Sequence, residues 1–154
     1  MTQAKLFGPG NLSPSNIVTA HIDGGARGNP GPAGYGVVVE AAKGETLAEL
    51  SAFLGRQTNN YAEYRGLLAA LEYALAHGHA ALRIISDSEL LVRQMNGQYK
   101  VRSPELRPLF EQAQSMARKL ARFEIRHARR EENKAADRLA NQAMDRGTRQ
   151  PAKS

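Results

Sequence analysis

Apolar residues recur with two different periods along the first half of the chain. In residues 17–23, 35–41 and 46–54, apolar and β-branched side chains follow strand-like patterns, which predict three β-strands. A Lys-Gly-Glu turn joins the second and third of these segments, so we expect them to form an antiparallel meander. From Tyr61 onward the apolar residues are spaced three and four apart, and this period predicts an amphipathic helix over residues 60–77.

The second half of the chain alternates between short strand-like patterns and helical ones. These patterns predict a strand over residues 81–86, helices over 88–95 and 104–120, a strand over 123–128 and a helix over 132–144. The resulting order βββαβααβα combines a meander with strands that are reached through helical crossovers. We therefore expect an α/β fold in which a five-stranded mixed sheet carries helices on both faces.

Glycine and proline mark the segments that we expect to lack regular structure. Residues 24–36 contain six glycines and two prolines, which predict a wide turn between the first two strands. Residues 1–15 are rich in Gly, Pro, Ser and Asn and predict a flexible N-terminal arm, while residues 146–154 predict a disordered basic tail. At about 150 residues per domain, the intervening residues 16–145 form one domain.

The amino-acid composition excludes several classes of protein. The chain of 154 residues contains no cysteine, which excludes a disulfide scaffold, thiol catalysis and thiolate-bound zinc. The absence of cysteine is also typical of a reducing compartment, so we expect a cytoplasmic protein. No apolar run reaches the roughly 18 residues of a membrane span, and no charged-then-apolar leader begins the chain. We therefore expect no membrane partner.

The charge of the chain predicts an anionic partner. Lys and Arg number 21 against 15 Asp and Glu, which gives a net charge of +6 and favours nucleic acid as the partner. Six basic residues lie within thirteen positions and are opposed only by Glu124; they are Arg118, Lys119, Arg122, Arg126, Arg129 and Arg130. This cluster is a candidate phosphate contact, although any single arginine in it could equally be solvated surface.

Four acidic residues stand at positions that require an explanation: Asp23, Glu63, Asp87 and Asp137. Three of them have a purely structural alternative. Asp23 could form a turn, Glu63 could complete a helix capping box, and Asp87 could begin the following helix. Asp137 resists a structural explanation best, because it is expected in the interior of the last helix, where aspartate is unfavourable.

Considered together, these acids predict a metal site. If the first and fourth strands are parallel neighbours, their carboxyl ends lie about 5 Å apart, so that Asp23 and Asp87 face one another. Converging carboxylates without a counter-charge repel one another, and divalent cations remove that repulsion. Oxygen ligands select hard ions, so we expect Mg²⁺, with Mn²⁺ as the alternative, and two such ions would form a clamp for phosphoryl displacement.

Four separate sequence blocks resemble ribonuclease HI in order and spacing. They are DGGARGNPGPAGYG over residues 23–36, GRQTNNYAE over 55–63, SDS over 86–88, and His127 followed by ENKAADRLAN over 132–141. The resemblance covers roughly residues 16–144 and implies a ribonuclease H catalytic domain. It implies metal-dependent endonucleolytic hydrolysis of the RNA strand of an RNA/DNA hybrid, leaving 5′-phosphate and 3′-hydroxyl ends.

The resemblance also implies a role for each matching residue. Asp23, Glu63, Asp87 and Asp137 correspond to the metal-binding carboxylates, and two Mg²⁺ ions are expected per site. Asn29, Asn59 and Asn60 correspond to polar contacts with RNA 2′-hydroxyls. Arg56 and Thr58 correspond to a pocket for a phosphate of the DNA strand, and His127 corresponds to a mobile histidine that assists proton movement or product departure.

The chain departs from many members of that family in one respect. Residues 94–104 pass directly between two predicted helices, with two basic residues and no Trp, where many members carry a basic insertion that helps to hold the hybrid. We expect a compact monomer without a protein partner, which binds the hybrid through its core surface. A resolvase-like nuclease and a noncatalytic hybrid-binding protein are the alternatives; a P-loop is excluded because Gly-Lys-Ser/Thr is absent.

Overall fold

Five strands and four helices follow one another in the order expected from the sequence. The computed structural model describes residues 16–149. In this part of the chain the strands and α-helices are β1 (Val18–Ala26), β2 (Gly31–Glu40), β3 (Thr46–Gln57), α1 (Asn59–Ala76), β4 (Ala81–Ser86), α2 (Glu89–Met95), α3 (Arg107–Arg118), β5 (Arg122–His127) and α4 (Lys134–Thr148), with a short 3₁₀ helix (Arg130–Glu132) before α4. No helix within residues 16–149 is both long and apolar enough to cross a membrane.

The strands form one mixed sheet in the order β3-β2-β1-β4-β5. β1 pairs antiparallel with β2, and β2 pairs antiparallel with β3, as the predicted meander requires. β4 lies parallel to β1 and to β5, because each of these strands is reached through a helical crossover. The α/β fold class and the five-stranded mixed sheet are therefore confirmed.

The two faces of the sheet are covered by different helices. On one face, α1 packs its buried Leu67 and Leu71 against the strands, and these residues share a core with Ile22, Val37 and Ile84. On the other face, α4 lies against β2 and β3. Both faces of the central strands are thus removed from water, which accounts for their continuous apolar runs.

The prediction of a wide turn over residues 24–36 is wrong. β1 continues to Ala26 and β2 begins at Gly31, so that only residues 27–30 form the turn. The glycines instead allow the backbones of helices to lie directly against the backbone of the sheet. A Cβ at Gly24 would overlap backbone atoms of Ala62 in α1, and a Cβ at Gly36 would overlap the Ala136 carbonyl in α4.

This close approach predicts a cost for Gly36→Ala. We expect the variant to be destabilised by about 1–3 kcal/mol, because the added methyl group forces α4 away from β2. Gly25→Ala is the matched control, since its Cβ would meet only the Asn59 side chain, at an ordinary contact distance of 3.7 Å. Urea denaturation of both variants measures the difference, and equal unfolding midpoints would contradict the close packing of α4.

The last helix is longer than expected. Residues 146–148, which the sequence places in a disordered tail, belong to α4. Two contacts with β3 explain the extension: Arg146 donates a hydrogen bond to Ser51 Oγ at 3.0 Å, and Gly147 lies directly against the Phe53 ring. The remaining tail residues from 150 onward, and the predicted N-terminal arm over residues 1–15, lie outside the described residues.

Candidate active site

Three of the four predicted carboxylates meet where β4 ends beside β1. Ile22 pairs with Ser86, so the residues that follow them, Asp23 and Asp87, lie side by side as the parallel arrangement predicts. Glu63 reaches the same place from the first half of α1. Ligand oxygens of Asp23, Glu63 and Asp87 all lie within 4.8 Å of one another.

Asp137 lies beside Asp23, close enough for its side chain to raise the pKa of Asp23. Its position in α4 differs from the prediction. The helix begins at Lys134 instead of residue 132, so Asp137 lies in the first turn and not in the helix interior. A carboxylate is favourable there, because the first turn of a helix has free N–H groups and a partial positive charge.

The structural alternatives for Glu63 and Asp87 are wrong. Thr58 caps α1, since its Oγ1 accepts a hydrogen bond from the Tyr61 N–H at 3.2 Å. The Glu63 carboxylate instead accepts a hydrogen bond from the Gly24 N–H of β1 at 3.1 Å. Ser88 caps α2, which leaves the Asp87 carboxylate free to face the cluster.

The turn alternative for Asp23 is also wrong, because this residue lies inside β1 and pairs with Gly36. The side chains of Asp23 and Glu63 are almost completely removed from water, with residue exposures of 8% and 9%. Asp23, Glu63 and Asp87 therefore neither cap a helix nor form a turn.

The carboxylate cluster carries an unbalanced negative charge. Burial, the Asp87 charge and the neighbouring Asp137 side chain raise the pKa of Asp23 to about 8. Burial and the charges of Asp23 and Asp87 raise the pKa of Glu63 well above its usual range. The cation paired with the cluster is Arg130, whose Nε lies 3.7 Å from Asp87 Oδ2 and whose side chain is 83% exposed. Such a buried set of oxygen donors fits hard divalent cations.

Several residues around the cluster had no role assigned from the sequence. Asn133 is buried, with 2% exposure, and its Nδ2 donates a hydrogen bond to the Ile22 carbonyl at 2.7 Å. This bond joins the start of α4 to the residue before Asp23. One helical turn beyond Asp137, Asn141 donates hydrogen bonds to the Asp137 carboxylate and carbonyl oxygens. The sequence signal for both was their place on one helical stripe with Asp137.

The predicted substrate contacts lie beside the carboxylates. Asn29 Oδ1 accepts a hydrogen bond from the Asn59 N–H at 3.0 Å, and Asn59 Oδ1 accepts one from the Ala26 N–H at 2.7 Å. Asn29, Thr58 and Asn60 line a cavity of about 370 Å³, which segment 103–106 completes on the other side. These four predicted residues therefore share one region, next to the end of β1.

Arg56 and His127 lie outside the cavity that contains Thr58, at the ends of two different strands. Arg56 is exposed near the end of β3 and does not line the cavity that contains Thr58. His127 is the last residue of β5 and pairs with Ser86, directly before Asp87. It is exposed and makes no side-chain hydrogen bond within residues 16–149, so its imidazole is free to move near the carboxylate edge.

Part of the predicted basic cluster is already paired. Arg122 and Arg126 lie 3.2 and 3.4 Å from carboxylate oxygens of Glu124, and Arg83 of the neighbouring strand forms a third ion pair with it at 2.7 Å. These three arginines, Arg83 foremost, keep the pKa of Glu124 below its ordinary value. The cluster is therefore not a uniform phosphate-binding surface.

The family comparison and the curated relatives agree with this site. A reverse transcriptase-like family model matches residues 21–143. The chain is 50% identical over 129 residues to a bifunctional protein of Mycobacterium tuberculosis, a match covering 83% of this chain and 35% of the relative. It is 40% identical over 128 residues to ribonuclease HI of Halobacterium salinarum, covering 83% of this chain and 64% of the relative. The chain thus spans only about a third to two thirds of these relatives.

Solved structures are similar over nearly their full length. The crystal structure of Halobacterium salinarum RNase H1 has a TM-score of 0.81 and 39% identity, with 84% of this chain and 98% of that chain covered. The structure of LC11-RNase H1 from compost, in complex with an RNA/DNA hybrid, has a TM-score of 0.81 and 42% identity, with 86% and 99% covered. The chain therefore belongs to the ribonuclease HI family of enzymes.

Proposed function

We propose that this protein is an endoribonuclease that hydrolyses the RNA strand of RNA/DNA hybrids and leaves 5′-phosphate and 3′-hydroxyl ends. The observation that carries the proposal is the convergence of Asp23, Glu63 and Asp87 within 4.8 Å, with Asp137 beside Asp23. A similar enzyme binds an RNA/DNA hybrid in its crystal structure, which supports the substrate class.

The four carboxylates would hold two divalent cations, Mg²⁺ in the first instance and Mn²⁺ as the alternative. When bound, such a pair lowers the pKa of the attacking water and stabilises the negative charge that develops on the departing 3′-oxygen. The protein contributes the rigid placement of the ligands. Asp23 is fixed by the sheet, Glu63 by its bond to the Gly24 N–H, and Asp87 by the capped turn before α2.

Asn29 and Asn59 are suited to recognise the RNA strand beside the carboxylates. Their Oδ1 atoms are occupied by backbone N–H groups, and neither side-chain NH₂ group has a partner in the described part of the chain. These NH₂ groups can therefore donate to a 2′-hydroxyl, which a DNA strand lacks. Asn60, Thr58 and Arg56 are proposed to complete the binding surface, with Thr58 and Arg56 on the DNA-strand side.

Cleavage of labelled substrates tests the proposal directly. With Mg²⁺ we expect cuts in the RNA strand of a hybrid, no cuts in single-stranded RNA or double-stranded DNA, and no activity in EDTA. Treating the cleavage products with phosphatase and with ligase identifies the chemical groups at their 5′ and 3′ ends. Cutting of DNA four-way junctions would favour the resolvase-like alternative, and binding of the hybrid without cleavage would favour a noncatalytic hybrid-binding protein.

His127 is expected to assist the reaction without being indispensable. We predict that His127→Ala lowers kcat by about 10- to 100-fold with little change in KM, because a histidine can move a proton while the cations supply the charge stabilisation. His77→Ala, at the exposed end of α1, is the matched control. Steady-state kinetics on a hybrid measures both variants. Turnover equal to the wild-type value would return His127 to a surface role.

The cytoplasmic location, the monomeric state and the absence of a protein partner stay predictions from the sequence. Size-exclusion chromatography with light scattering tests the monomeric state. The domain boundary at residue 16 also stays a prediction, whereas α4 continues past the predicted boundary at residue 145.

A further inference from the structure

Asp137 is held differently from the other three carboxylates. It lies on the first turn of α4, outside the sheet that carries Asp23, and its side chain has two rotatable torsions. Asn141, one turn further along the same face, donates from Nδ2 to Asp137 Oδ1 at 3.3 Å and to the Asp137 carbonyl at 3.0 Å. The orientation of the Asp137 carboxylate therefore depends on the orientation of the Asn141 amide.

The Asn141 amide is oriented in turn by Arg27. In the turn between β1 and β2, Arg27 Nη2 donates to Asn141 Oδ1 and to the Asn141 carbonyl, both at 3.3 Å. Arg27 Nη1 also forms an ion pair with Asp145 Oδ1 at 2.8 Å, which anchors the guanidinium along α4. Arg27 thus bridges the turn that carries Asn29 to the helix that carries Asp137.

We call the hydrogen bonds from Arg27 to Asn141 and from Asn141 to Asp137 the relay. The donors and acceptors of these three side chains fix its direction. A guanidinium has only donors and a carboxylate has only acceptors, whereas an amide has one end of each kind. With Arg27 on one side, the Asn141 oxygen must face Arg27, and its NH₂ group must face Asp137. If Arg27 were absent, the amide could rotate, and the Asp137 carboxylate would lose a fixed donor.

We propose that Arg27 and Asn141 are positioning residues that together orient Asp137 for divalent-cation binding. Neither side chain needs to touch the cation or the substrate, because each acts through the next group. The inference rests on the metal-dependent function proposed above. It also connects that site to the turn that carries Asn29, one of the residues proposed to contact the RNA strand.

Metal binding to the substrate-free protein tests the relay without relying on catalysis. By isothermal titration calorimetry with Mn²⁺, Asn141→Ala is expected to weaken binding about 10-fold, which is typical for loss of a hydrogen bond to a ligand. Arg27→Ala is expected to weaken binding in the same direction. Because Arg27 acts through Asn141, the double variant should bind Mn²⁺ no more weakly than Asn141→Ala alone.

Two matched controls separate positioning from general stability. Gln142→Ala removes an exposed amide from the same helix, and Arg146→Ala removes an arginine that bonds to β3 instead of to Asn141. Both are expected to bind Mn²⁺ like the wild-type protein. Thermal unfolding in EDTA reports any loss of stability, and an Mn²⁺ affinity that falls only in proportion to stability would overturn the proposal.

The outcomes distinguish this inference from the proposed function. If the wild-type protein binds Mn²⁺ and cleaves hybrids while Asn141→Ala binds Mn²⁺ equally well, the relay is overturned and the function stands. If the effects of Arg27→Ala and Asn141→Ala simply add, the two residues act independently, which also overturns it. If the wild-type protein binds no divalent cation at all, the proposed function itself fails.

Discussion

Replacing Asp87 by asparagine is expected to lower the kcat for hybrid cleavage by about a thousandfold or more while leaving the fold intact. The substitution removes a ligand charge from the centre of the carboxylate cluster and keeps the shape of the side chain. Because Asp87 also raises the pKa values of Asp23 and Glu63, its neutralisation relieves repulsion instead of creating strain. Circular dichroism should therefore be unchanged.

The measurement is turnover of a labelled hybrid at saturating Mg²⁺, beside Glu45→Gln as the control. Glu45 is an exposed acid in the turn between β2 and β3 and does not belong to the carboxylate cluster. The control should retain wild-type turnover. If the Asp87→Asn variant retained more than about a tenth of wild-type turnover, the assignment of Asp87 as a ligand would be wrong.

Asp23→Asn is expected to abolish activity and, in the absence of metal, to stabilise the protein at pH 8. The folded protein holds the pKa of Asp23 at about 8, above its ordinary value of 3.8. Below about pH 4 this group is protonated in both the folded and unfolded states, and its contribution to stability is fully present. As the pH rises towards 8, the unfolded chain releases the proton first, and that stability is lost.

The gain in the free energy of unfolding at pH 8 should be about 3 kcal/mol. A rise of about four pKa units would correspond to roughly 6 kcal/mol, and we expect about half of it because Asp23 titrates as one of several coupled acids. Urea denaturation in EDTA at pH 5 and pH 8 measures the effect, which should be clearly smaller at pH 5. Adding Mg²⁺ at pH 8 should stabilise the wild-type protein much more than the variant. A wild-type protein equally stable in EDTA at both pH values would contradict the charge cluster.

The order of elements and the meeting of the carboxylates could be predicted because both follow from local rules. Periodicity fixes strands and helices, and the parallel pairing of two strands brings Asp23 and Asp87 to one edge. Glu63 could be recognised as a candidate, although its capping alternative could be discarded only when Thr58 was found to cap α1. Capping chemistry offers several equivalent residues in TNN, and tertiary contacts decide between them.

The remaining differences arise from contacts between segments that are distant in sequence. The glycines at 24 and 36 indicate a turn when they are considered locally, yet their function is to accommodate the backbones of α1 and α4. The end of α4 likewise depends on contacts with Ser51 and Phe53 of β3. The bond from Asn141 to Asp137 follows helical spacing, but the bond from Arg27 to Asn141 has no local signature, because these two residues lie 114 positions apart.

The hydrogen bond between Asn133 and the Ile22 carbonyl joins residues that are 111 positions apart. It joins the central strand β1 to the start of α4, near the other end of the described chain. The carboxylate site therefore depends on contacts between residues that are distant in sequence. While the chain is being synthesised, the first strand with Asp23 emerges long before α4 with Asp137. A nascent chain therefore has no complete carboxylate site, which forms only when the last helix docks.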